Sequence, residues 1–436
     1  MRSPLRHHAC HLAICAALSI AADAAYATPL SVTNCYDDGR AGSLRSVIAG
    51  AASGDTIDLS GLPGADPACT SSRITLTQGQ IPVSGALIVV GPGQEKLAID
   101  GNDSAAIFYS ADSAGTLTLR DVTVANGHNP GKRGGCINHA GSVVLDGAAV
   151  TDCTLDAHGS TGKYRPIFAG AGVFAGTVTL QNGANVSHNT MSKGDAYPGS
   201  VFGGGIATTY LYCTDSTISG NLAVLSVAGG AYVTNKADIT RCTIDNNIAS
   251  KYGGGLSVHG TTTIAESTIS HNGGGSGGGI SNTGTLTLNN STVAFNYAGA
   301  NYGAGIDSTM DVTLQSSIVA DNTNQTGTPV DIRLGSGKRI FGGASLVRYT
   351  TALVNNGAIV SFADPMLAPL GNHGGLTRMH ALLAGSPAID AGSNPHTYAT
   401  DQRGAGFARE VPTGKPDIGA YERQPNEDEI FGNGFD

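Results

Sequence analysis

The chain has 436 residues, of which 63 are Gly, 13 % are charged and none is Trp, and its net charge is −9. The Gly share is about twice the usual one but has no G-X-Y period, which excludes collagen, and 40 % hydrophobic residues exclude wholesale disorder. An acidic chain of this kind lacks the basic surface that nucleic acids and anionic membranes require.

At the N-terminus, Arg2 and Arg6 precede an Ala-rich apolar stretch from Ala9 to Ile20 that closes on Ala25-Tyr26-Ala27. This is the pattern of a secretory signal peptide over 1–27, with cleavage expected between Ala27 and Thr28. No later stretch is long and apolar enough to span a bilayer as a helix. Residues 28–110 read as an N-terminal cap and first coils. Ser43 can cap a short amphipathic helix whose apolar face is Leu44, Val47, Ile48 and Ala51. Six cysteines follow the signal: Cys35, Cys69, Cys136, Cys153, Cys213 and Cys242. An even number in an exported chain predicts disulfides; connectivity stays open, with pairing of sequence neighbours as the guess. None forms a C-x-x-C pair, so zinc and thioredoxin-type chemistry find no support.

Residues 111–345 carry an internal repeat. One marker is an apolar residue at Val124, Val150, Val186, Ile218, Ile244, Ile269, Val293 and Ile318. The other is a Gly-rich corner ending at Ile137, Val173, Ile206, Tyr232, Leu256, Ile280 and Ile306. Both keep a period near 25, and the segments between alternate with period two and favour Thr and β-branched residues. These features predict an all-β, right-handed, single-stranded parallel β-helix whose coils stack at about 4.8 Å. The column Val186, Ile218, Ile244, Ile269, Val293 and Ile318 should point inward. One position earlier, Thr217, Thr243, Thr268, Thr292 and Ser317 should form an outward hydroxyl ladder. Three positions later, Asn189, Asn221, Asn247, Asn272 and Asn296 should form a structural amide ladder at a corner.

The segment from Asp37 to Leu59, DDGRAGSLRSVIAGAASGDTIDL, resembles the opening of exported bacterial β-helix surface proteins. GGGI, GGGL and AFNYAG are similar to the repeats of polymorphic outer-membrane proteins, although Phe295-Asn296 departs from their FxxN spacing. Within 346–425, SPAIDAGSN, TDQRGAGFARE and DIGAYE resemble the choice-of-anchor Q domain, and an acidic tail over 426–436 resembles the IFxxGF endings of exported proteins. The resemblance implies a β-helix outside the cell or on its surface, with extracellular glycans or host and cell-surface components as partners. It implies no activity.

Several catalytic-looking strings lack their structural setting. Gly274–Gly278 satisfies G-x-S-x-G, and Gly273, Gly275 and Gly278 satisfy G-x-G-x-x-G, but both fall in one Gly-rich corner. After residue 27 the histidines form no i,i+4 pair. One charged column recurs on three neighbouring coils: Asp215, Arg241 and Glu266. An Arg between two carboxylates lowers both pKa values, against the needs of a general acid, so a surface ion-pair ladder is expected. No catalytic, cofactor-binding or metal-ligating residue is assigned. The reading is a non-catalytic secreted or surface protein with an adhesive or glycan-binding role. The alternative is an extracellular polysaccharide lyase or hydrolase of the pectin-degrading type.

Overall fold

The computed structural model describes residues 28–425 except 65, 67–68, 131–132, 158–167, 194–200, 301, 356 and 413. The expected signal peptide and the acidic tail lie outside the described residues. The chain winds into a parallel β-solenoid of about 11 turns. A typical turn places Leu256–Val258 and Thr261–Ala265 in a 19-stranded sheet, then Thr268–Ser270 in a 12-stranded sheet. Gly273–Ser276 follows in an 8-stranded sheet before the chain returns to Ile280–Asn282. Among the described residues the one α-helix is Leu44–Gly50, which covers the first coil. Ser43 Oγ accepts from Ser46 N at its N-cap, and Leu44 and Ile48 are buried.

The interior is a set of aliphatic columns. Ile74, Ile99, Val124, Val150, Val186, Ile218, Ile244, Ile269 and Val293 pair in succession down the 12-stranded sheet, each fully buried. Parallel sheets are stable only with their apolar faces covered, and the coil closes one face upon itself. The next member of this column is Val319, not Ile318: Val293 pairs with Val319, while Ile318 pairs with Thr292. A parallel correction applies at Tyr232. Ile206 pairs with Ala231, so Ala231 enters the core and Tyr232 faces outward. Side chains alternate across a strand, and a one-residue shift therefore reverses the face.

The Asn column and the Gly-rich corner share one period because they are packing partners. Asn189, Asn221, Asn247, Asn272, Asn296 and Asn322 stack with the amide oxygen of each accepting from its predecessor. Asn247 Oδ1, for example, accepts from Asn221 N at 3.0 Å and Asn221 Nδ2 at 2.9 Å. The stack ends where Asp331 Oδ1 accepts from Asn322 N and Nδ2. A Cβ on Gly255 would stand 2.7 Å from Gly279 O and 3.1 Å from the Asn272 amide, closer than side chains pack. Gly at this corner is thus dictated by the amide stack beside it.

Three disulfides join the cysteines in sequence order: Cys35–Cys69, Cys136–Cys153 and Cys213–Cys242. The chain after about residue 364 leaves the solenoid as an irregular strap lying across the outward face of the 12-stranded sheet. This strap is why the hydroxyl ladder is not exposed as expected. Thr243, Thr268 and Thr292 are at most 1 % exposed. Thr243 Oγ1 donates to Arg378 O, Thr268 Oγ1 to Gln402 Oε1, and Thr292 Oγ1 accepts from Ala420 N. Ser317 is not in this ladder; its Oγ accepts from Ser291 N at the neighbouring corner. Ile318 takes the outward position and joins Leu346, Met379, Leu382, Ile418 and Tyr421 in a second apolar cluster under the strap.

Candidate functional site

The charged column occupies a left-handed corner, with φ of 49° at Asp215, 53° at Arg241 and 47° at Glu266. Only two of the three meet. Arg241 Nε and Nη2 donate to the two Asp215 oxygens, each at 2.7 Å, and both side chains keep partial exposure. Glu266 is 1 % exposed, turned beneath the strap onto Arg409. The expected surface ladder therefore stops after Asp215–Arg241. The expected pKa direction also reverses: burial pushes Glu266 up to about 8 even against Arg409. Arg409 is itself fully buried and shared with Glu422, whose Oε1 has no hydrogen-bond partner and whose pKa burial likewise raises to about 8. Such a group is shielded from any substrate, and its partners hold the strap. A cleft of about 570 Å³ does open beside Asp215 and Arg241, against Gly375 and Thr400 of the strap.

A second cleft lies on the outward face of the 19-stranded sheet. Its volume is about 450 Å³, inside the range of about 300–1,000 Å³ usual for small-molecule sites. The register explains it. Phe174, Ala207 and Tyr232 are successive partners in one outward column, so a small, buried residue sits between two aromatic ones and forms the floor of the cleft. Phe202, just before the corner of the Ala207 coil, stacks on Tyr232 with ring centroids 4.3 Å apart. His259 closes the other side of Tyr232 at 5.0 Å. The Arg133 guanidinium lies 4.5 Å from the centre of the Phe174 ring. Gly176, Thr208, Thr209 and Thr234 complete the lining.

Two titratable rings stand at this cleft. Burial lowers His259 below the usual His range and raises the Tyr232 hydroxyl, so both favour their neutral forms. No carboxylate is among the residues lining it. Among the described residues no group of three or more His, Cys, Asp or Glu converges as a metal site. Sequence reasoning missed this cleft altogether. The available signal was the residue following each inward marker, which is aromatic at Phe174. At Tyr232 the aromatic residue itself was misread as the marker.

No protein-family model matches the chain, the C-terminal motifs included, and no curated protein matches it. Among solved structures, the crystal structure of pectate lyase Pel9A is similar, with a TM-score of 0.44 and 12 % identity over 91 % of this chain and 97 % of that one.

Proposed function

We propose that the protein is an exported, non-catalytic glycan-binding β-solenoid that holds a sugar in the Phe174–Phe202–Tyr232 cleft. The observation that carries this reading is the outward placement of three aromatic rings around a cleft floored by the buried Ala207. Aromatic rings offer apolar, electron-rich surface, and the C–H groups of a pyranose can pack against the ring surface that Phe202, His259 and Arg133 leave uncovered while sugar hydroxyls bond to flanking polar groups. Thr209, Thr234 and Arg133 supply such groups. No carboxylate lines the cleft, so the carboxylate pair that most glycoside hydrolases use is absent from its lining. Three disulfides are consistent with an oxidising, extracellular location. Export would follow from the Arg2/Arg6 signal with cleavage between Ala27 and Thr28.

The test is titration calorimetry of the mature protein against a panel of neutral and acidic oligosaccharides. Tyr232→Ala should weaken binding about tenfold or more, the scale of losing one aromatic anchor. Binding that ignores Tyr232, or turnover of any panel member by the wild type, would remove this reading.

A further inference from the structure

We infer that this cleft is one station of a longer groove that takes an extended, equatorially linked polysaccharide lying along the solenoid axis. The inference rests on the glycan-binding reading above and adds the class of chain and its direction. Tyr109, Asn138, Phe174, Ala207 and Tyr232 pair in succession across five coils and form one outward column. Its aromatic members fall on every second coil, and the two between them are the smaller Asn138 and Ala207.

Two coil spacings are about 9.6 Å. A column shaped by stability alone would favour aromatic residues on adjacent coils, where cross-strand rings touch and stabilise one another. Alternation forgoes that contact inside the column; Phe202 reaches Tyr232 from outside it. The same spacing is close to the two-sugar repeat of a chain with equatorial linkages at both ends of each ring. In such a chain every second sugar presents the same face, so it can meet Tyr109, Phe174 and Tyr232 in turn. A chain with one axial and one equatorial linkage per ring, such as an α-1,4-glucan, curls within a few sugars and loses that step. Tyr109, at the open end, is 37 % exposed. Beside the aromatic column runs a polar one, Thr116, Ser142, Thr177 and Tyr210, in the same coil order and positioned to bond sugar hydroxyls. Beyond Tyr232 the aromatic column ends: the next partners are Ser257, Ser281 and Asp307.

The experiment uses cello-, manno- and xylo-oligosaccharides of two to six sugars, with malto-oligosaccharides of the same lengths as the curled comparison. For at least one extended series, affinity should rise about tenfold or more from the disaccharide to the hexasaccharide, and the malto series should show no such rise. Tyr109→Ala, which removes an exposed ring, should abolish most of that length-dependent gain, with folding checked by circular dichroism. Affinity independent of length, or a gain that survives in Tyr109→Ala, overturns the inference while Tyr232-sensitive binding of the short sugars leaves the cleft reading standing. Loss of all Tyr232-sensitive binding overturns both.

Discussion

At the scale of single residues, the outward column Thr217–Thr243–Thr268–Thr292 shows how one sequence pattern acquires two environments. Thr217 is partly exposed, whereas Thr243 lies under Arg378 and Gln402. A carboxylate is tolerated where water can reach it and is costly where it cannot. Thr217→Asp should therefore change stability by less than about 1 kcal/mol, while Thr243→Asp should lose roughly 2–4 kcal/mol. Ile244→Asp, in the aliphatic column, should lose at least as much as Thr243→Asp. Denaturant melts of the three variants check this ordering; equal stability of Thr217→Asp and Thr243→Asp would contradict the docking of the strap. The pattern itself was legible because a 25-residue period repeats each choice of residue many times over. Its exceptions were not. Ile318 fits the apolar pattern perfectly well, and only Asn322, four residues on instead of three, betrays that Val319 is the inward member.

At the scale of elements, the strap is held by groups whose charge depends on pH. Glu266 and Glu422 share Arg409, with Asp401 and Asp417 adding negative charge nearby, and Arg403 is paired with Asp401 and stacked between Phe407 and Tyr421. Both Glu pKa values are raised from 4.5 to about 8, chiefly by burial. Their contribution is thus fully present below about 4.5 and is lost as pH rises through about 8. His380 works in the other direction. It sits between Ser270 Oγ and Ala368 O, with His271 and His373 near it, and burial lowers its pKa from 6.5 to about 4. Its contribution is present above 6.5 and is lost as pH falls through about 4. Between pH 5 and 8 the three raised carboxylates, with Asp331 raised to about 7, outweigh the one histidine, so the melting temperature should be higher near pH 5 than near pH 8. Glu422→Gln should make the alkaline limb shallower. A wild-type profile flat from pH 5 to 9 would show that these carboxylates are not buried as described. Sequence reading placed Glu266 on a surface ladder because its partner Arg409 lies 143 residues away. No local spacing reports a contact of that range. The same holds for the aromatic cleft, where Phe202, Ala207 and Tyr232 come together only once the corners set the register.

At the scale of the whole molecule, two kinds of clamp divide the solenoid near Cys242. All three disulfides lie between Cys35 and Cys242. The strap's hydrogen bonds begin at that boundary, with Thr377 Oγ1 donating to Arg241 O, and continue to Ser316 O, which accepts from Gly419 N. In a solenoid each coil contacts mainly its neighbours, so stability is set locally and openings can be confined to one stretch. Disulfides closing loops of 17 to 34 residues contribute about 3 kcal/mol each, largely by restricting the unfolded chain. Replacing Cys136 and Cys153 together by Ala should therefore speed amide exchange in Val143–Leu145 and Val178–Leu180 while leaving Thr268–Ser270 and Ile318–Ala320 protected. Because Phe174 stands on a loosened coil, glycan affinity should fall in the same variant although Phe174 itself has not been touched. Exchange that rises uniformly along the chain would mean instead that the coils unfold as one cooperative block, with strap and disulfides stabilising the same transition.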